Sequence, residues 1–176
     1  MRLPTLAALL LATSLTLLAP TVAEAQTRHF PDPAGDGYKG RALDITDLKL
    51  ANRPHHVRLT VGFRKVTPGD IGVSLKARGR PAYLGVVVST HYFHHDVNRF
   101  AAYPHRRHCA GFHVWWSKRL ARVRITIPSH CLAHGNFGAV KAQVITEVGS
   151  DADYLPSPTG PLLHQHFGFT DWVRRG

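Results

Sequence analysis

The most regular feature of the chain is an alternation with a period of two. In 57–63, VRLTVGF, the side chains of Val57, Leu59, Val61 and Phe63 share one side of an extended backbone, and Arg58, Thr60 and Gly62 take the other. In 122–128, RVRITIP, Val123, Ile125 and Ile127 alternate with Arg122, Arg124 and Thr126. Apolar residues at every second position mark strands with one face on a core and one in water, the habit of antiparallel sheets. Similar runs occupy 47–51, 71–77, 83–90, 111–117 and 139–148. Between them stand NRPHH, TPGD, RGRP, HGNFG and PSPTGP, rich in residues that turn or break a chain. No long stretch shows the 3.6-residue period of an amphipathic helix, and Leu132 to Gly135 has room for one helical turn. The pattern predicts an all-β fold: an antiparallel β-sandwich of about seven to nine strands, immunoglobulin-like or jelly-roll-like, with a barrel as the second choice. The stretches 26–31 and 154–165 read as loops.

The first 25 residues break this pattern. Arg2 precedes an apolar run from Leu3 to Leu18, and Ala23-Glu24-Ala25 supplies a small-x-small site. This is the layout of a secretory signal peptide, which takes no part in the fold. The run is interrupted by Pro4, Thr and Ser and falls short of the ~20 apolar residues that a membrane span requires. A single domain over 26–176 is expected, secreted or extracytoplasmic, with no membrane span after cleavage. In that compartment Cys109 and Cys131, the only two cysteines, are expected to pair. Such a bridge is worth on the order of 3 kcal/mol. A metal site or a reactive thiol is the alternative, and neither has CxxC spacing here.

Charge adds a direction. Lys and Arg number 22 against 11 Asp and Glu, a net +11 that removal of Arg2 and Glu24 leaves unchanged. An exported protein so basic is drawn to wall polymers, acidic lipids, nucleic acid or acidic glycans. Arrangement decides whether that matters. Arg58 and Arg64 lie on the polar side of one strand, Arg122 and Arg124 on that of another, and Lys118 and Arg119 in the turn before it. If the two strands are neighbours, a basic stripe results, suited to an anionic cell-wall polymer or glycan or to a single strand of nucleic acid. No RNP sequence or helix-turn-helix accompanies it. The plainer reading of the same residues is a solvated sheet face that resists edge aggregation.

Four of the few acids, Asp32, Asp36, Asp44 and Asp47, crowd into 30–50, FPDPAGDGYKGRALDITDLKL. Calcium takes six to eight oxygen ligands, commonly carboxylates and main-chain carbonyls on a loop. Asp32, Asp36 and Asp44, with Gly35, Gly37 and Gly40, offer such a set, so a structural calcium ion is a candidate cofactor, although the spacing is not that of an EF-hand. The same residues also read as turn formers: Asp32 before Pro33, Asp36 before Gly37, and Asp44 at the approach to a strand. Asp47 belongs to the strand DLKL.

DPAGD, LDITDLKL and VRLTVGF together resemble the opening of a group of small exported actinobacterial proteins. VRITIPSHCLAHGNFGAVKAQV and FTDWV resemble that group's later signatures, so the resemblance touches most of 26–176. It implies a fold and an address rather than an activity. Over the N-terminal third the chain also resembles the first strands of carbohydrate-binding-module-9-like and DOMON-like β-sandwiches, which implies a structural calcium, a sugar or a haem. Asp32, Asp36 and Asp44 match the acidic positions of that motif. The sugar-clamping aromatic pair has no counterpart, because Trp115 and Trp116 are adjacent and face opposite ways on a strand. The only methionine is Met1, so Met/His haem ligation lacks its sulfur.

Thirteen histidines are present, most densely at His91, His94, His95, His105 and His108 around Asp96, with His164 and His166 near the end. Neutral imidazole suits zinc, copper or nickel. The spacing lacks the CxxC or HxxxH of a structural zinc site, and a solvated loop is the preferred reading. Where the actinobacterial group carries acids, His91 to Asp96 departs from it. Near Arg106 and Arg107 these imidazoles gain charge below about pH 6.5, which would strengthen anion binding in acid.

GxSxG, HExxH, P-loop and GxGxxG motifs are all absent from the sequence, and no catalytic residue is assigned. Glu147 is the only glutamate after residue 25 and sits in a strand pattern, so a carboxylate pair needs two aspartates. Asp151 and Asp153 are close together but read as a turn. The sequence therefore favours a non-catalytic binding domain for an anionic polymer or glycan at the cell envelope. A secreted hydrolase using a His/Asp site, His95 with Asp96, is the alternative.

Overall fold

The alternating runs become strands that pair antiparallel throughout. The structure, a computed structural model, describes residues 26–37, 43–80, 83–89, 98–102, 105–106, 109–159 and 167–176. The expected signal peptide at 1–25 lies outside the described residues, as do His91, His94, His95, Asp96, Arg107, His108, His164 and His166.

Twelve strands are described. They are β1 (Thr27–Pro31), β2 (Ile45–Asn52), β3 (His56–Phe63), β4 (Asp70–Ala77), β5 (Tyr83–Ser89), β6 (Asn98–Ala102), β7 (His105–Arg106), β8 (His113–Ser117), β9 (Arg122–Pro128), β10 (Ala139–Val148), β11 (Asp151–Leu155) and β12 (Val173–Arg174). Two single 3-10 turns, Ser129–Cys131 and Ala133–Gly135, follow β9. One sheet runs in the order β1-β2-β3-β9-β8; the other runs β11-β10-β4-β5-β6-β7, with β12 also on β10. The chain crosses between sheets after β3, returns after β7 and crosses again after β9. Because β3 pairs with β9 and β4 with β10, the first and third crossings run between neighbouring pairs.

The apolar positions of both sheets meet in one core. Leu48, Leu50, Leu59, Val61, Val123 and Ile125 from the first sheet share it with Ile71, Val73, Leu75, Val140, Ala142 and Val144 from the second. Burying such a side chain contributes about 1.5–3 kcal/mol, and this shared layer makes the molecule an antiparallel sandwich.

Twelve strands exceed the seven to nine expected, and two differences bear on function. Residues 27–31 form a strand rather than a loop: β1 pairs along its whole length with β2. As an edge strand it leaves Thr27, His29 and Pro31 exposed, so it lacks a clean apolar period. Residues 151–155 form a strand rather than a turn. The inward positions of β11 are Asp151, Asp153 and Leu155, and buried acids disguise the alternation.

Two devices fasten the sandwich. The disulfide Cys109–Cys131, with Cα atoms 5.7 Å apart, ties the residue before β8's turn to the 3-10 turn after β9. The C-terminal segment straps both sheets. Thr170 exchanges two hydrogen bonds with Ala142: its N–H donates to the carbonyl, and the Ala142 N–H donates to Oγ1. β12 pairs with Ala139 and Val140, while the buried Asn52 side chain of β2 donates to the Val173 carbonyl at 3.0 Å. Among the described residues no helix is long and apolar enough to cross a membrane.

Candidate anion-binding groove and acidic centre

The basic stripe depends on β3 and β9 being neighbours, and they are. Register sets three rungs across the outer face of the first sheet. One holds Thr27, Ala51, Arg58, Thr126 and His113; the next His29, Lys49, Thr60, Arg124 and Trp115; the third Pro31, Asp47, Gly62, Arg122 and Ser117. Across these rungs lies a groove of about 310 Å³, whose walls carry Lys49, Arg53, Arg58, Arg122 and Arg124 with the hydroxyls of Thr27 and Thr60. No acid lines it. Among the described residues the rungs carry one acid, Asp47, which accepts from Thr46 and lies 3.2 Å from His29 Nε2. Gly62 makes room for it, since a Cβ there would run into the Asp47 carboxylate.

Five cations with no acid among them repel one another and attract any anion. Two further details sharpen this. The Arg58 Nε is buried with no acceptor among the described residues. His56, two residues earlier on the same face, has Nε2 buried and unpartnered as well. Burial holds its pKa below the ordinary histidine value, and Arg58, Arg53 and His55 push in the same direction. On β9 the Arg124 guanidinium lies 5.1 Å from the ring centre of Trp115, which stands on the neighbouring edge strand β8. Trp115 is 39% exposed, whereas Trp116 points inward and stacks on Phe63 at 6.0 Å.

Of the six cations the sequence suggested, Arg58, Arg122 and Arg124 line the groove. Lys118 and Arg119 sit in the β8–β9 turn, beyond the Ser117 end of the third rung. Arg64 leaves the face: its N–H bonds to the Asp44 carbonyl, and its guanidinium lies beside Gly35. Lys49 and Arg53 were missed. Lys49 had a signal, as the polar position between Leu48 and Leu50; Arg53 lies in a turn where no period points.

The acids gather at another place. Carboxylate oxygens of Asp32 and Asp36, from the β1–β2 loop, and of Asp153, from β11, all lie within 4.8 Å of one another. Asp153 is 2% exposed and accepts from the N–H groups of Ile45 at 2.6 Å and Tyr154 at 2.8 Å. Asp44 stands beside the trio but uses Oδ1 to accept the Gly35 N–H at 2.8 Å, in a turn where Gly35 has φ +87°. Burial pushes the Asp32 carboxyl up to about 7, helped by Asp36 and Asp153 and opposed by the Ser157 hydroxyl. Burial likewise raises Asp153 to about 6, against its two N–H donors.

Ser157 lies 3.2 Å from Asp32 and 2.9 Å from Asp36, with one proton for two carboxylates. Asp32 Oδ2 is buried with no partner among the described residues. An all-oxygen cluster with this unrelieved charge suits a proton or a hard cation.

His130 lies beside the Cys109–Cys131 bridge. Both sulfurs are committed to the bond, so neither offers the thiolate a metal or an electrophile needs. The His95–Asp96 pair and the densest histidines fall outside the described residues. Compared with protein-family models, curated proteins and solved structures, the chain finds no match.

Proposed function

We propose that this chain is an extracytoplasmic, non-catalytic binding protein that holds an anionic polymer on the outer face of the β1-β2-β3-β9-β8 sheet. One observation carries the reading: a groove walled, among the described residues, by five cations and no acid, on strands whose inner faces are locked into the core. Release of counterions from a polyanion drives such binding and makes it weaken steeply with salt. The test is retention of the purified chain on heparin, polygalacturonate and long-chain polyphosphate at low and high salt. Salt-sensitive retention that is lost on combining Arg58→Gln with Arg124→Gln is the expected result. Failure to retain the chain on any polyanion at low salt would sink the proposal.

A second reading concerns the acidic centre. We propose that Asp32, Asp36 and Asp153 hold a structural calcium ion, with Asp44 shaping the loop that presents them. Support comes from the buried, unpartnered Oδ2 of Asp32 and from the all-oxygen donor set. Millimolar calcium at pH 8 is expected to raise the melting temperature of the wild type and not of Asp153→Asn. An unchanged wild-type melting temperature would dismiss the ion.

A further inference from the structure

We infer that the polymer held by this face is an acidic polysaccharide, with a sugar ring carried on Trp115 and its carboxylate or sulfate groups on Arg58, Arg122 and Arg124. The inference rests on the groove reading above and narrows it to one chemical class.

Trp115 is the starting point. The exposed large hydrophobic side chains among the described residues are Trp115, Leu120 and Phe167, and of these only Trp115 stands on the rungs of the basic face. Its neighbour Arg124 belongs both to the groove wall and to the indole. Basic groove and aromatic ring are therefore one continuous surface.

Its sequence of chemistries is ordered. Along the middle rung an ammonium (Lys49), a hydroxyl (Thr60), a guanidinium (Arg124) and an indole (Trp115) follow in register across four adjacent strands. At about 4.8 Å per strand the rung spans roughly 14 Å, the reach of a short oligosaccharide. An acidic sugar chain offers the complement at each position: an apolar C–H face for the indole, hydroxyls for the threonine, and oxyanions for the cations. Arginine's planar fork matches a carboxylate or sulfate, and Arg58, Arg122 and Arg124 all line the groove.

Other polyanions fit less of the surface. Polyphosphate has charge but no apolar face, so it has no use for Trp115. Single-stranded nucleic acid stacks successive bases on successive aromatics, and the described part of this face presents one.

The test measures affinity for polygalacturonate (carboxylated), heparin (sulfated), long-chain polyphosphate and oligo-dT, using the full chain and Trp115→Ala, Trp115→Phe and Arg58→Gln. Thermal melts check that each variant is folded. Expected is a five- to tenfold loss for Trp115→Ala on one or both glycans, the scale of a single aromatic contact. Trp115→Phe should recover much of it, and polyphosphate affinity should stay within twofold. Arg58→Gln should weaken every polyanion. Which glycan responds tells carboxylate from sulfate. Equal losses on glycans and polyphosphate, no loss on either glycan, or the largest loss on oligo-dT would overturn the acidic-polysaccharide assignment while leaving the groove as an anion site. Absence of low-salt binding to all four probes would remove the groove reading itself.

Discussion

On the outer face of the second sheet, the Lys141 ammonium lies 4.9 Å from the ring centre of Phe169 and 5.1 Å from that of Trp172. The Arg78 guanidinium lies 5.0 Å from the same Trp172. On the outer face of the first sheet, Lys49, Arg53, Arg58, Arg122 and Arg124 share a groove, and among the described residues only Arg124 has an aromatic partner. Both faces carry lysine or arginine, and both belong to antiparallel strands. They differ in whether the fold itself spends the positive charge. The C-terminal segment lays its rings over the cations of the second sheet, and those cations help to hold the strap down. Among the described residues the first sheet has no such cover, which is why its cations are proposed to meet a ligand.

The largest effect should come from moving charge between these two roles. Combining Arg58→Gln with Arg124→Gln is expected to weaken polyanion binding on the order of 100-fold at low salt, and to lower the salt slope by about two charges. Combining Arg78→Gln with Lys141→Gln should leave affinity within twofold. Isotherms at several salt concentrations decide. Comparable losses from both pairs would mean that net charge, and not the groove, governs binding.

Next in size is the strap. Trp172→Ala removes the ring shared by Arg78 and Lys141 and should cost about 1–3 kcal/mol of stability, read by denaturant melts, with groove affinity unchanged. A stability change near zero would show that the strap merely rests on the sheet.

A smaller effect separates the acidic centre from both faces. The raised Asp32 and Asp153 carboxyls keep their protons in the folded state at pH values where the unfolded chain has lost them. Their contribution is fully present below about pH 4, the unfolded value, and is lost as pH rises through about 6 to 7. Without divalent cations, melting temperature should therefore fall by a few degrees, roughly 1 kcal/mol after solvent screening, between mildly acidic and mildly alkaline buffer. Asp32→Asn should flatten much of this slope. A slope of the opposite sign, or one unchanged in the variant, would place the titration elsewhere.

The smallest expected effect is on His56. Burial holds its pKa below the usual value and Arg58 and Arg53 push the same way; a bound anion relieves the repulsive part, so binding is expected to take up a proton. Affinity should rise about two- to threefold from neutral to mildly acid pH. His56→Gln should remove that rise; if the rise persists in the variant, another group is responsible.

Part of this arrangement was legible in the chain. The alternation in β3 and β9 assigned Arg58, Arg122 and Arg124 to one side of their strands, and compartment chemistry paired Cys109 with Cys131. What a local period cannot carry is which strands lie side by side. β3 and β9 are joined through the excursion of β4–β7 into the other sheet, and only the closed core brings their polar faces together. The acidic centre was half visible for a different reason. Asp32 and Asp36 stand out in a loop, but Asp153 is a buried acid on the inward side of a strand. An inward aspartate mimics a turn residue until its donors, the N–H groups of Ile45 and Tyr154, are known. Arg64 shows the converse: the alternation of β3 runs out at Phe63, and the next residue follows the loop.

The disulfide has a mechanical meaning. Cys109 precedes β8 and Cys131 follows β9, so the bond makes the whole β8–β9 hairpin a closed covalent ring that contains Trp115, Arg122 and Arg124. If the proposed polymer is gripped at those side chains under tension, it would pull on the ring and could not peel the hairpin open beyond the cystine. Stretched end to end, the oxidised molecule would keep residues 110–130 out of the extended length; after reduction that slack would be released.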